Sequence, residues 1–311
     1  MTRVAAIDCG TNSIRLLVAD IDVTGTTLTD VVRTMQIVRL GEGVDRAGVL
    51  SEGALERTFA ACDQYARAIA EAGVQRTRFV ATSATRDAAN RQVFFDGVRQ
   101  RLGVEPQVIS GDTEARLSFI GSTRALGDRI TAEPVLVVDI GGGSTEFVLG
   151  RVSGEVLAAH SVDVGCVRMT ERRLRSDPPT SDEIDAATAD IDAAIARAGE
   201  EVELAAAQTL VGLAGSVTTL SAIAMDLDRY DADATHGSWL SRADVETLTG
   251  QLLRQTHEQR AAIPVMHPGR VDVIGGGALV LDRILAATGL PAVLVSEHDI
   301  LDGIAWSLVE D

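Results

Sequence analysis

The strongest constraint on this chain is an apolar run that ends in an acid and three glycines: Val135-Leu136-Val137-Val138-Asp139-Ile140-Gly141-Gly142-Gly143-Ser144-Thr145-Glu146-Phe147-Val148-Leu149. Aliphatic residues on both sides of a glycine turn predict strand, tight turn and strand, a β-hairpin. The glycines leave backbone N–H groups uncovered and let them curl toward an anion. Asp139, at the strand end, is placed to hold a divalent metal directly or through water, and Glu146 points into the same region. Together these parts would hold a metal-bound phosphate.

The pattern occurs twice. Ala5-Ala6-Ile7-Asp8-Cys9-Gly10-Thr11-Asn12-Ser13-Ile14-Arg15-Leu16-Leu17-Val18 is again strand, Asp-x-Gly, small polar turn, Ser and strand. Asp8 aligns with Asp139, Gly10 with Gly141, Ser13 with Ser144 and Arg15 with Glu146. One glycine turn alone carries little weight, because ordinary hairpins need glycine too. Two copies in register, 131 residues apart, point to a duplicated fold with one phosphate loop per lobe.

Length and composition agree with that layout. A chain of 311 residues is long enough for two domains, each with its own core. No apolar run reaches membrane length and the N-terminus lacks a signal-peptide pattern, so the expected location is cytoplasmic, with no membrane partner. Cys9, Cys62 and Cys166 are scattered and fit neither a disulfide framework nor a zinc site. Cys9 reads as a small filler in the first loop.

The chain has no lysine, and all 28 basic residues are arginine. This excludes the P-loop G-x-x-x-x-G-K-[ST] and any Schiff-base lysine. Every phosphate clamp must be arginine or backbone, and arginine binds phosphate oxygens bidentately without losing its charge. Residues 1–130 hold 16 arginines and 16 acids, so the whole net charge of −17 falls on 131–311. An acidic surface repels nucleic acid and anionic membrane. A polyanionic ligand would be met by the neutral, arginine-rich first half, or the acidic helices merely keep the second half in solution.

In chain order, strands are expected at 3–9, 14–21, 27–32 and 35–39, with turns at Thr11-Asn12 and Thr24-Gly25. Gly41 to Gly48 is a glycine-punctuated loop. Ser51 caps a helix that ends at Gly73. A strand at 78–83 leads to Arg86, where strand becomes helix, a usual place for site residues in α/β folds. A helix ends at Gly103, and a strand at 105–109 runs into Ser110-Gly111-Asp112-Thr113-Glu114. Glu114 lies in the first turn of a new helix. Its position fits either a surface carboxylate stabilised by the helix dipole or a general base.

Past the central hairpin, a strand at 155–162 precedes a helix carrying Arg168, Arg172, Arg173 and Arg175. Pro178-Pro179 breaks the chain, and an acidic helix covers 181–205. Leu210 to Thr219 is strand, Gly-Ser turn and helix N-terminus, which makes Gly215 and Ser216 a secondary ligand contact. Gly275-Gly276-Gly277 reads as close helix–strand packing. A last strand covers 292–296, and a helix begins near 299. The five histidines show no ligand spacing.

Two Asp-x-Gly phosphate hairpins resemble the actin, hexokinase and Hsp70 superfamily. The words Ala5-Ala6-Ile7-Asp8-x-Gly10-x-Asn12-Ser13, Ala81-Thr82-Ser83-Ala84-x-Arg86-Asp87-Ala88-x-Asn90, Val108-Ile109-Ser110-Gly111-x-x-Glu114-Ala115-Arg116 and Asp139-Ile140-Gly141-Gly142-Gly143-Ser144-Thr145-Glu146 go further. They are similar to the exopolyphosphatase / guanosine pentaphosphate phosphohydrolase family, as are Gly165-x-Val167-Arg168 and Leu213 to Thr219. The resemblance covers nearly the whole chain. It implies an α/β fold of two actin-like (ribonuclease H-like) lobes with an interlobe cleft. The lobes are expected at 1–128 and 129–298, with a C-terminal helix at 299–311 packing back on the first and a hinge near 125–132 and 299.

The same resemblance implies phosphoanhydride hydrolysis, with Glu114 as catalytic base toward the attacking water. Asp139 and Glu146 would bind Mg²⁺ or Mn²⁺, with Asp8 joining through water. Asn12, Ser13, Arg86, Gly141, Gly142, Gly143 and Ser144 would hold the terminal phosphoryl group. The implied partners are inorganic polyphosphate, or guanosine pentaphosphate or tetraphosphate, and a second copy in a homodimer. The family's usual Glu-Glu is Thr113-Glu114 here, which leaves the base intact. Longer members continue with a helical HD-type domain and a further domain past the point where this sequence stops, which implies short polyphosphate chains or weak processivity. The competing readings are a guanosine pentaphosphate phosphohydrolase, an ATP-dependent kinase of the superfamily, and a non-catalytic alarmone or nucleotide sensor.

Overall fold

A strand covered on both faces reads as one apolar run, with alternate side chains serving opposite cores. Val4 to Cys9 is such a run. In the computed structural model, which describes residues 1–22 and 27–309, it lies in the middle of a sheet. The chain divides into two units, Met1–Gly121 with Ile300–Asp311, and Ser122–Asp299.

The first unit runs β1 (Thr2–Cys9), β2 (Ser13–Ile21), β3 (Leu28–Ile37), α1 (Val44–Ala47), α2 (Glu52–Ala72), β4 (Arg76–Ala81), α3 (Ser83–Asp87), α4 (Arg91–Leu102), β5 (Gln107–Val108) and the start of α5 (Gly111–Leu126). Its sheet has the order β3-β2-β1-β4-β5. β1, β2 and β3 form an antiparallel meander, and β4 and β5 add in parallel. The two strands expected at 27–32 and 35–39 are one strand, β3. Arg33 and Thr34 interrupt the apolar run there, but an edge strand exposes polar side chains without breaking its ladder. The turn expected at Thr24-Gly25 lies outside the described residues. α2 begins where Ser51 Oγ accepts the Ala54 N–H, and stops at Gly73, whose φ of 67° suits glycine.

The second unit runs β6 (Val135–Ile140), β7 (Thr145–Gly150), β8 (Val156–Val162), α6 (Cys166–Arg172), α7 (Ser181–Glu201), β9 (Thr209–Leu213), α8 (Ala214–Ala224), α9 (Ala232–Thr235), β10 (Trp239–Ser241), α10 (Arg242–Arg254), α11 (His257–Ala261), α12 (Ile274–Thr288) and β11 (Ala292–Val295). Its sheet order is β10-β11-β9-β6-β7-β8. β6, β7 and β8 repeat the antiparallel meander, and β9 adds in parallel beside β6, as β4 does beside β1. The duplication legible in the two hairpins therefore extends to both sheets. α13 (Ile300–Ser307) belongs to the first unit.

In the first unit Ala5, Ile7 and Cys9 pack with Leu16, Leu55, Phe79 and Phe94 on one face. Val4 and Ala6 pack with Leu17, Leu117, Ile304 and Trp306 on the other. α13 approaches α5 so closely that a Cβ on Gly303 would lie 2.0 Å from the Leu117 carbonyl oxygen. An ion pair ties α13 to β3: Arg33 Nη2 donates to Asp302 Oδ1 at 2.5 Å, and Asp302 is 2% exposed. In the second unit α7, α10 and α12 close the core on β6, β7 and β9. The glycines at 275–277 do serve close packing, but helix to helix. A Cβ on Gly276 would meet the Cys166 carbonyl at 2.8 Å, and one on Gly277 the Ser216 hydroxyl at 2.1 Å. Among the described residues no helix is long and apolar enough to cross a membrane.

Candidate active site

The two hairpins close with the same bond. Gly10 N–H donates to the Ser13 carbonyl at 2.9 Å, and Gly141 N–H to the Ser144 carbonyl at 3.0 Å. What surrounds each turn then decides which way its remaining peptides face. In the second hairpin the carbonyls are taken up by the start of α6. Cys166 N–H donates to Gly141 O at 2.9 Å, Val167 and Arg168 N–H to Gly142 O at 2.9 and 3.0 Å, and Arg168 Nε to Gly143 O at 2.6 Å. A trans peptide points its N–H opposite to its C=O. The amides of Gly142, Gly143 and Ser144 therefore turn away from α6. Successive backbone donors turned outward in this way make an anion-binding concavity.

Gly165 makes this arrangement possible. Its backbone is extended, with φ of −164°, so conformation does not demand glycine there. Space does: a Cβ would lie 2.6 Å from Gly142 O and 2.7 Å from Gly141 O.

The first hairpin is built the same way from a different segment. Gly41 N–H donates to Thr11 O at 2.9 Å, and Val38 and Arg39 N–H donate to Asn12 O at 3.0 and 2.9 Å. This turns the amides of Asn12 and Ser13 to the opposite side. Gly41 is the counterpart of Gly165, since a Cβ there would meet Thr11 Cγ2 at 2.3 Å. Arg39 takes a φ of 48°, a left-handed conformation that a non-glycine residue adopts only under tertiary constraint. Thr11 Oγ1 and Ser83 Oγ share a hydrogen bond of 2.9 Å that ties this loop to α3.

The carboxylates differ between the hairpins. Asp139 and Glu146 stand opposite each other in the β6–β7 register, 7% and 1% exposed. Directly paired residues on adjacent strands present their side chains to the same face. Ser161, on β8, donates its hydroxyl to Glu146 Oε1 at 2.8 Å. At the equivalent register Asp8 faces Arg15, whose Nε and Nη2 donate to Asp8 Oδ2 at 3.0 and 2.6 Å. Glu114, in the first turn of α5, is 8% exposed. Arg86 Nη1 donates to the Ile109 carbonyl at 3.1 Å and lies 3.5 Å from Glu114 Oε2. The structure thus brings Arg86 and Glu114 together, and Asp139 and Glu146 together.

Several expectations need correction. Gly141 does not offer its amide to a phosphate, because Ser144 O takes it. Asp8 is held by Arg15. Among the described residues no group of three or more His, Cys, Asp and Glu is gathered for an ion. Gly215 is half-buried and Ser216 is buried. A Cβ on Gly215 would meet the Arg270 guanidinium at 2.3–2.6 Å, and Ser216, 6% exposed, is wedged against Gly277. Ala214, where β9 becomes α8, has a φ of 67°. Cys9, in contrast, is the small filler expected: it is 1% exposed, and burial pushes its thiol well above the ordinary range. Asn90 is a structural clasp: its side chain bonds both the N–H and the carbonyl of Leu50, at 2.8 and 2.9 Å.

The reading of the sequence missed Ser161, Gly41 and the packing role of Gly165. Gly165 carried a signal in its motif. Ser161 carried none, because only the sheet register places it beside Glu146.

Comparison with known proteins agrees with the geometry. The "Exopolyphosphatase 2" of Mycobacterium tuberculosis is 48% identical, over 99% of this chain and 99% of that protein. The crystal structure of an exopolyphosphatase-like protein superposes with a TM-score of 0.95 at 43% identity, covering 99% of each chain. A guanosine-5'-triphosphate,3'-diphosphate pyrophosphatase of Aliivibrio fischeri is 27% identical, over 99% of this chain and 59% of that protein. The model of the Ppx/GppA phosphatase family matches residues 17–311, and the two α/β units have the actin-like layout of its members. The chain belongs to the Ppx/GppA phosphatase family.

Proposed function

We propose that the chain is an exopolyphosphatase that releases Pi from the ends of inorganic polyphosphate, preferring short chains. The observation that carries this reading is the turn at 141–144. Its carbonyls are consumed on one side, and the amides of Gly142, Gly143 and Ser144 are left for an anion on the other. The 48% identity to a protein named for this activity supports it. The more distant pyrophosphatase supports the alternative, hydrolysis of guanosine pentaphosphate.

Phosphoryl transfer asks mainly for positioning and charge neutralisation. In this reading Glu114 takes the proton of a water whose oxygen attacks the terminal phosphorus, and the phosphoanhydride P–O bond breaks with its electrons passing to the penultimate phosphate. Arg86 holds the terminal phosphoryl group and fixes the Glu114 carboxylate. The amides of Asn12 and Ser13 and of Gly142, Gly143 and Ser144 bind phosphoryl oxygens.

Asp139 and Glu146 are the residues that would hold Mg²⁺ or Mn²⁺. The fit is chemical: two buried carboxylates on one face favour a cation. Mg²⁺ takes one or two carboxylates and fills its other positions with water and phosphate oxygens, so no third acid is needed. When bound, the metal neutralises charge on the phosphoryl oxygens. The acidic net charge supports a protein that binds neither nucleic acid nor membrane. Cytoplasmic location and a homodimer rest on the family likeness.

The test is Glu114→Gln, which keeps the side chain's size and removes its basicity. Loss of a general base costs about 10²–10⁴-fold in turnover. We expect a fall in kcat of that order with Kd for a short polyphosphate changed less than about threefold. Affinity lost in proportion to rate would remove Glu114 from the role of base.

A further inference from the structure

One side chain of the Gly165-x-Val167-Arg168 segment reaches the turn at 141–144 itself. In the first hairpin the Asn12 carbonyl is met by backbone donors, the N–H groups of Val38 and Arg39 at 3.0 and 2.9 Å. Gly143 is the counterpart of Asn12, since Gly10 matches Gly141 and Ser13 matches Ser144. The Gly143 carbonyl is met by a side chain: Arg168 Nε donates to it at 2.6 Å, while the backbone N–H of the same residue donates to Gly142 O at 3.0 Å. Arg168 thus spans two successive carbonyls of the turn. Its side chain is 11% exposed, and its Nη2 lies 4.0 Å from Asp163 Oδ1. Helix stability does not explain an arginine there. Position 168 falls in the first turn of α6, where the helix dipole disfavours a cation.

We propose that Arg168 is a positioning residue that acts through the Gly143–Ser144 peptide. A trans peptide points its N–H opposite to its C=O, so a guanidinium that fixes Gly143 O on the α6 side fixes the Ser144 N–H on the other. The bond is charge-assisted, and such bonds are about twice as strong as neutral ones. Hydrogen bonds in series polarise one another, so the charge behind the carbonyl also makes the Ser144 N–H a better donor. This rests on the reading of the turn as the element that binds phosphoryl oxygens. It places Arg168 behind that turn, with Nε given to the peptide and not to the phosphate. What matters at position 168 is then a donor at the right reach from the backbone, ahead of the charge itself.

The test compares three variants of the full-length protein. The amide nitrogen of glutamine lies the same number of bonds from Cα as arginine Nε, so Arg168→Gln keeps the donor and drops the charge. Arg168→Met has similar length and no donor, and Arg168→Lys keeps the charge with its donor one bond too far. In phosphate release from short polyphosphate with Mg²⁺, Arg168→Met is expected to lose about 10²-fold in kcat, the cost of one preorganised donor, with KM changed less than about threefold. Arg168→Gln is expected to lose less than about tenfold, and Arg168→Lys more than Arg168→Gln. The second readout is the Ser144 amide without substrate. Carbonyl-¹³C glycine with ¹⁵N serine selects the Gly-Ser peptides at 121–122, 143–144, 215–216 and 237–238, and Ser144→Ala identifies the signal. It is expected to move further in Arg168→Met than in Arg168→Gln. A lysine variant faster than the glutamine one, or glutamine and methionine variants equally slow, would mean that the charge meets the phosphate directly and would overturn the inference. So would Arg168→Met with wild-type kcat and an unmoved Ser144 signal. The order of Arg168→Gln and Arg168→Lys decides the matter if Arg168→Met does not fold. A wild type that releases no phosphate would instead refute the reading of the turn, and the Ser144 signal alone would then decide whether Arg168 orients the peptide.

Discussion

Gly165 shows how one atom can decide which way the peptides of a hairpin turn face. Its hydrogen lets the start of α6 reach the Gly141 and Gly142 carbonyls. Gly165→Ala adds a carbon within 2.7 Å of both oxygens, so either α6 or the loop must retreat. With the carbonyls released, the outward amides lose their orientation. Removing one preorganised donor of this kind costs about 10²–10³-fold in rate. We expect kcat/KM to fall at least 10²-fold with the fold retained by circular dichroism; an alanine variant with wild-type kinetics would show that α6 does not set the loop. The pairing of Asp139 with Glu146 was legible in the sequence from acid, glycine and small polar residues in fixed order, whereas Glu114 was singled out only by the family resemblance. The exclusion of the Gly141 amide and the covering of Ser216 were not legible. Both depend on groups remote in sequence, the Ser144 carbonyl across the turn and Gly277 on α12.

The strands and helices were legible where a periodic pattern met a clear stop. α2 starts at Ser51 and ends at Gly73, and α4 ends at Gly103, as cap and glycine signals dictate. β10, at three residues, is too short to carry a period, and it exists because β11 offers it an edge. β3 read as two strands because Arg33 interrupts it, and the structure gives that arginine its purpose. Arg33 bonds Asp30 and reaches Asp302 on α13, and these two carboxylates raise its pKa against the effect of burial. Hydrogen bonds to charged groups contribute about 1.5–3 kcal/mol each. Asp302→Ala is therefore expected to lower stability by about 2 kcal/mol in urea unfolding, and Asp302→Asn to lower it by less, since its amide oxygen still accepts from Arg33. Equal losses in both variants would mean that side-chain charge, not the bond, holds α13 in place.

The repeated sheet explains why so much of the architecture could be inferred from two short words. β1 to β4 and β6 to β9 place an acid at one strand end, a turn with outward amides after it, and a parallel strand leading to a helix beside it. The two turns share their backbone arrangement and differ at one register position, arginine in the first and glutamate in the second. The absence of lysine is consistent with the proposed chemistry, in which backbone amides, arginine and carboxylates would do all the binding. The measurement that decides the account is phosphate release with Mg²⁺ from short polyphosphate, long polyphosphate, guanosine pentaphosphate and ATP, with Glu114→Gln as the blank. Release from short polyphosphate that vanishes in the blank is the predicted result. Release chiefly from guanosine pentaphosphate, or none from any of the four, would contradict it.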